Sequence, residues 1–151
     1  IGLFMDQCEA DYNEIFDANF RSVFNCTNAA VKYMVDKKKG CIINISSIWG
    51  NVGASCEALY SASKGAVNSF TKAMGKELAP SNIRVNAISP GVIDTSMNSA
   101  FNSEDIKSIK DEIPMMRFGR SDEIGKLAVF LASDNASYIT SQIITIDGGM
   151  L

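Results

Sequence analysis

Three side chains of this sequence have the types and the spacing for acid–base work at one spot: Ser47, Tyr60 and Lys64. The apolar run Ile42 to Ile45 reads as a short buried strand that ends at Ser46 and Ser47. A helical pattern then begins with Tyr60-x-x-x-Lys64, and an i, i+4 pair stands on one face of a helix. A phenol and an ammonium are thereby neighbours, and Ser47, at a strand's carboxyl end, can face them. In an open parallel sheet that end is where ligands bind. A free tyrosine titrates near about 10, and a neighbouring ammonium is expected to pull it down toward working pH. A serine hydroxyl can hold a carbonyl oxygen beside the phenol. The trio suits proton delivery to a carbonyl oxygen, or removal from an alcohol. That is half of a carbonyl reduction, for which a nicotinamide would supply the hydride. Taken alone, Tyr-x-x-x-Lys on a helix is more commonly an incidental surface pair. Two features argue for more. Small residues (Ser61, Ala62, Ser63, Gly65, Ala66) surround the pair and allow close approach of another body. A second strand-like run, Arg84 to Ser89, ends in Pro90-Gly91-Val92-Ile93-Asp94-Thr95.

The elements that must position these groups follow from periodicity. From about Cys8 to Asp36 the pattern predicts one long helix. Its stripe of Tyr12, Ile15, Phe16, Phe20, Val23, Phe24, Thr27, Val31, Met34 and Val35 has three-and-four spacing. Asn19 lies on that stripe, where a buried amide must find partners; read from the residues alone it is a satisfied core group, the more common case, or part of a site. Gly40 is suited to end this helix, and a strand over 41–45 follows. A loop over 46–57 leads to a helix over 59–78, which Pro80 stops. Trp49, in that loop, lines a cleft or packs internally. A strand over 84–89 implies parallel pairing by a right-handed crossover. Ser121 is expected to cap a helix that runs to about Ser133, with Asp122 and Glu123 in its first turn. A last strand over 142–146 ends at Asp147-Gly-Gly149.

Composition narrows the classes. The sequence has 151 residues, 46% hydrophobic and 21% charged, which fits one globular domain with a real core. A net charge of −3 argues against nucleic-acid binding by phosphate neutralisation. Lys37-Lys38-Lys39 reads as a solvated turn. Cys8, Cys26, Cys41 and Cys56 have no metal-ligand spacing, there is no histidine, and reduced thiols in a cytoplasmic protein are expected, with no metal. No apolar run approaches the roughly eighteen residues of a membrane span.

The chain resembles the catalytic half of a short-chain dehydrogenase/reductase. The likeness rests on Asn19 in Asp17-Ala-Asn19-Phe-Arg-Ser-Val-Phe24, Ser47, Tyr60-x-x-x-Lys64, Pro90-Gly91, Arg117-Phe-Gly-Arg120 and Asp147-Gly-Gly149. It is most similar to 3-oxoacyl-acyl-carrier-protein reductases, a likeness that points to fatty acid biosynthesis. Ser46-Ser-Ile-Trp-Gly50 and Gly53-Ala-Ser-Cys-Glu57 also resemble a subgroup that reduces an aminopentanone group on elongation factor P. The resemblance implies an α/β fold, the C-terminal portion of a doubly wound, Rossmann-like parallel sheet with three strands and three main helices. It implies NADP(H) or NAD(H) as cofactor. Tyr60 would be the general acid, Lys64 would lower its pKa and hold the nicotinamide ribose, Ser47 would orient the carbonyl, and Asn19 would order a water and the lysine. Pro90, Gly91, Ile93 and Thr95 would face the cofactor, with Ile93 bonding the carboxamide. Trp49 and Met97 would contact substrate, and about 98–118 would be a substrate lid. Met97, Met115 and Met116 suit an apolar substrate or lid packing equally. The partners implied are a small or carrier-bound carbonyl compound and further copies of the chain, in a dimer or tetramer built through 8–36 and 59–78; the latter helix's face is also a core face.

The glycine-rich first turn that binds a pyrophosphate is not in the sequence. The expectation is therefore a single partial domain over 1–151 that lacks the family's nucleotide-binding first part, or one in which that part precedes Ile1. Strands 41–45 and 84–89 would then be interior strands of a larger sheet. Two other readings stand beside reduction of a 3-oxoacyl group. One is a non-catalytic fragment or assembly partner. The other is a dehydrogenase of sugars or steroids, differing in the lid and the 46–57 loop.

Overall fold

The computed structural model describes residues 2–98 and 101–151, without the side chain of Met97. Its framework is a three-stranded sheet: β1 (Gly40–Ile45), β2 (Ile83–Pro90) and β3 (Ile143–Ile146), in spatial order β1-β2-β3. Both pairings are parallel, with Gly40 opposite Ile83 and Ala87 opposite Ile143. β2 is the interior strand; the outer edge of β1 has no partner strand among the described residues.

The helices are α1 (Glu9–Phe16), α2 (Ser22–Lys37), α3 (Trp49–Val52), α4 (Ala58–Leu78), α5 (Ser103–Asp111) and α6 (Ser121–Ala132). Alternation along β2 sends its side chains to two layers. Ile83 and Val85 pack with Leu78, Met74, Val31 and Met34 under α2 and α4. Ile88 packs with Leu131, Ala136, Ile124 and Leu127 under α6. The sheet is thus covered on both faces, as a doubly wound fold requires. The buried amides of the strands are paired. Asn44 donates to Thr71 Oγ1 at 2.8 Å, and Asn86 bridges Ile139 O and the Gln142 N–H.

Three local expectations are corrected. The predicted helix over 8–36 is not continuous: a π-helical segment, Asp17–Arg21, separates α1 from α2. The extra residue puts α1 and α2 out of phase, so Tyr12, Phe24 and Val35 of the apolar stripe are exposed and Thr27 alone is buried in α2. The left-handed residue that ends α2 is Lys38 (φ 49°), not Gly40, which already pairs in β1. The residue flanking α6 is Arg120, in extended conformation, whose N–H is held by the Glu123 carboxylate at 2.8 Å; Ser121 is the first helical residue. The 98–118 stretch contains α5, capped by Asn102, whose side-chain oxygen accepts from the Glu104 and Asp105 N–H groups.

Candidate active site

Ser47 is positioned by an extension of the β1–β2 ladder. Beyond the end of β1, the Ser46 N–H reaches Ile88 O at 2.8 Å and the Ile48 N–H reaches Pro90 O at 3.0 Å. Ser47, between them, is buried at the carboxyl end of the sheet. The chain then turns into α3, and the Trp49 N–H donates to Ser47 Oγ at 3.2 Å. That bond occupies one lone pair and leaves the serine proton free to point elsewhere. α3 presses closely on α4: a Cβ added at Gly50 would stand 2.8 Å from the Lys64 carbonyl carbon. Only glycine lets the serine-bearing turn come this near the helix that carries Tyr60 and Lys64.

The trio expected from spacing does converge. The Ser47 side chain stands close enough to the Tyr60 phenol to favour its ionised form. The Lys64 ammonium lies 5.7 Å from the Tyr60 ring centroid and donates to Ile45 O at 3.1 Å. The electrostatic expectation is corrected. Burial pushes the Tyr60 phenol above its ordinary 10.0; the nearby Ser47 side chain pulls it down, and the Glu57 carboxylate adds to the rise. Burial likewise lowers the Lys64 ammonium from its ordinary value. Loss of water disfavours both charged forms.

Asn19 sits in the π-helical segment, half-buried, and its amide donates to Ser63 Oγ at 3.1 Å. With Lys64 it lines a groove of about 460 Å³ that follows the outer edge of β1. Pro90 ends β2, and Gly91 passes so close to Asp147 that a Cβ would lie 2.7 Å from the aspartate Cβ. Val92 O accepts from the Gly119 N–H at 2.9 Å and the Asp94 N–H donates to Gly119 O at 2.8 Å. Ile93, between them, turns its own N–H and C=O away from Gly119, as alternation in a parallel bridge requires. Its carbonyl accepts from Asn98 Nδ2 at 2.7 Å. Thr95 is exposed, Trp49 half-buried, and the Met97 side chain lies outside the described residues. A separate cavity of about 230 Å³ lies between the 92–93 loop, Met115 and α6; Ser47, Tyr60 and Lys64 do not line it.

The chain matches, over residues 1–151, the family model described as enoyl-(acyl carrier protein) reductase. It belongs to the short-chain dehydrogenase/reductase family. Among its relatives, the uncharacterised oxidoreductase YmfI of Bacillus subtilis is 46% identical over 148 residues, 98% of this chain and 61% of that protein. A 3-oxoacyl-[acyl-carrier-protein] reductase of Thermotoga maritima is 41% identical over 143 residues, 95% of this chain and 58% of that protein. The crystal structure of a 3-oxoacyl-[acyl-carrier protein] reductase from Brucella melitensis superposes with a TM-score of 0.94 at 32% identity, over 97% of this chain and 55% of that one. This short-chain dehydrogenase/reductase chain thus spans about three fifths of its relatives' length. Among the described residues no helix is long and apolar enough to cross a membrane, and no cluster of three acidic or thiol side chains could hold a metal ion.

Two groups escaped sequence reasoning. Ser63 stood out only as a small residue, yet it touches both Asn19 and the Tyr60 turn. Asn51 ties α3 to three other elements: its amide donates to Ser89 at 3.0 Å and Thr145 at 3.4 Å and accepts from Asn68 at 2.9 Å. Partners so distant in the chain leave no local signal.

Proposed function

We propose that the protein reduces the ketone of a 3-oxoacyl group on a carrier to an alcohol, using NADPH or NADH. The observation that carries this reading is the nearness of the Ser47 and Tyr60 hydroxyls, with the half-buried Lys64 ammonium beside the Tyr60 ring. A pair of hydroxyls suits an oxygen that is gaining charge, which favours a carbonyl over the carbon–carbon double bond of an enoyl substrate. The family's 3-oxoacyl reductases support the substrate class; an aminopentanone on elongation factor P is the rival ketone that the same assay distinguishes.

The residues at the strand ends fit a nicotinamide. Ile93 would offer its outward backbone N–H to a carboxamide, its carbonyl being engaged by Asn98 Nδ2, with Pro90, Gly91 and Thr95 beside it. Lys64 and Tyr60 would hold the ribose hydroxyls. The cofactor, when bound, supplies the hydride. Ser47 Oγ donates to the substrate oxygen and fixes it next to Tyr60. The Tyr60 hydroxyl, kept protonated by burial, delivers its proton to that oxygen as charge develops. Lys64, anchored on Ile45 O, stabilises the phenolate left behind, and Asn19 fixes the adjoining backbone. Trp49 and Met97 border the substrate, with 98–118 as its lid. Two or four copies would assemble through α1–α2 and α4, where exposed Tyr12 and Phe24 find cover.

Tyr60→Phe tests the reading. It removes one oxygen and should reduce NADPH turnover with a 3-oxoacyl thioester by at least about a thousandfold, at an unchanged circular dichroism spectrum. Undiminished turnover would overturn the assignment.

A further inference from the structure

Ser63 is a fully buried hydroxyl that joins the segment of Asn19 to the helix of Tyr60 and Lys64. Its exposure is 0%. A hydroxyl has one proton and two lone pairs. The Ser63 proton goes to Tyr60 O at 2.7 Å, three residues back on α4. One lone pair accepts the Asn19 amide at 3.1 Å, from a residue 44 positions away. So a single oxygen connects the side chain of Asn19 to the peptide of Tyr60.

Each bond bears on a local weakness of the backbone. A serine that bonds back to a carbonyl of the preceding turn competes with the helix's own ladder and bends the helix. Here the shared carbonyl is that of Tyr60. A π-helical turn has poorer geometry than an α-turn and persists where outside contacts hold it. Asp17–Arg21 is such a turn, and Asn19 is its middle residue. The segment also meets α4 through the edge-to-face pair Phe20–Phe70, at 5.7 Å between centroids. The Asn19–Ser63 bond is directional and fixes register.

We propose that Ser63 is a positioning residue: it locks the π-turn of Asn19 onto the turn that presents Tyr60 and Lys64. This rests on the reading of Tyr60 as proton donor. The hydroxyl itself touches no reacting atom. Without it the Asn19 amide loses its acceptor in a half-buried place, which costs more than a surface hydrogen bond would. The segment is then free to relax toward regular α-helix, carrying Asn19 out of register with Lys64.

The test combines hydrogen exchange with a double-mutant cycle, on the whole protein with its cofactor. Ser63→Ala suits it, since alanine is smaller and a better helix former, so folding is not at risk. Amide exchange across 17–21 should speed up about tenfold while exchange in β2 stays unchanged, and Asn19→Ala should reproduce the pattern. With a 3-oxoacyl thioester, Ser63→Ala should lower kcat about tenfold and leave KM within about twofold. The double variant should be no slower than the slower single one, because both act through one bond. Unchanged exchange across 17–21 in Ser63→Ala overturns the proposal, whatever the kinetics. So do kcat losses that multiply in the double variant, which would mean independent structural effects. A parent protein without turnover sinks the reading of the site instead, and exchange alone then decides the joint.

Discussion

At the scale of single residues, the proposed chemistry turns on how burial and contact are balanced around one phenol. Tyr60 is expected from its spacing to Lys64 to have a lowered pKa; the structure raises it, because desolvation is its largest influence. That direction sets the sign of the pH dependence. The proton-donating form is the one populated below the folded-state pKa, which lies above 10.0. The rate of ketone reduction at saturating cofactor should therefore be flat through neutral pH and fall only as pH rises past the ordinary tyrosine range. Alcohol oxidation, which needs the phenolate, should rise there instead. A reduction profile that already falls on an ionisation near about pH 7 would show that Lys64 dominates after all. Which residues meet was legible in the sequence, since Ser47, Tyr60 and Lys64 are set by a strand end and a helix face. Their electrostatics were not, because desolvation depends on α3 closing over α4, and no residue spacing states that.

Among the elements, glycine contacts and one helix terminus invite measurement. Gly91→Ala would push a Cβ to 2.7 Å from Asp147 Cβ and 2.8 Å from its Cα. Backbone must shift to admit it, so urea unfolding should show a loss of about 1–3 kcal/mol. Substitution of the fully buried Leu131 by Ala empties the layer between α6 and Ile88 and should cost about 2–5 kcal/mol in the same experiment. The start of α6 is a charge cluster. Arg117 bonds Glu123 at 2.8 and 2.9 Å, and Arg120 and Lys126 bond Asp122 at 2.9 and 2.8 Å. These partners hold both carboxyls down at about 2, below their ordinary 4.5 and 3.8. A depressed carboxylate stabilises the fold above its unfolded pKa and loses that contribution as pH falls toward the folded value. Thermal stability should therefore decline from about pH 5 to about pH 2, and less steeply in Glu123→Gln. An equal slope in that variant would remove the cluster from the account. The π-turn is the element that periodicity could not supply. A stripe that accepts spacings of both three and four reads on through an inserted residue, although the face it describes has turned, and Asp17–Arg21 contains nothing that breaks a helix.

For the whole molecule, the assembly proposed through α1–α2 and α4 makes a definite prediction. Phe24, 48% exposed on α2, should become buried between copies. Light scattering should then find a dimer or tetramer, and Phe24→Glu should shift it toward monomer; a parent protein that is monomeric at micromolar concentration would exclude that interface. The sheet makes plain how the tiers depend on one another. By itself the sequence determined the three strands, the long helices and the order in which they alternate, because strand and helix periods and proline or glycine stops are local properties. It also determined the trio, because a strand end and an i, i+4 pair are local geometry. Only the tertiary structure decided which face each helix covers, that Ser63 joins Asn19 to the Tyr60 turn, that Asn51 gathers Asn68, Ser89 and Thr145, and that burial pushes the Tyr60 phenol up. The reason is physical. Hydrogen bonds between residues 17 to 94 positions apart, and the exclusion of water from a phenol, exist only once the layers have packed.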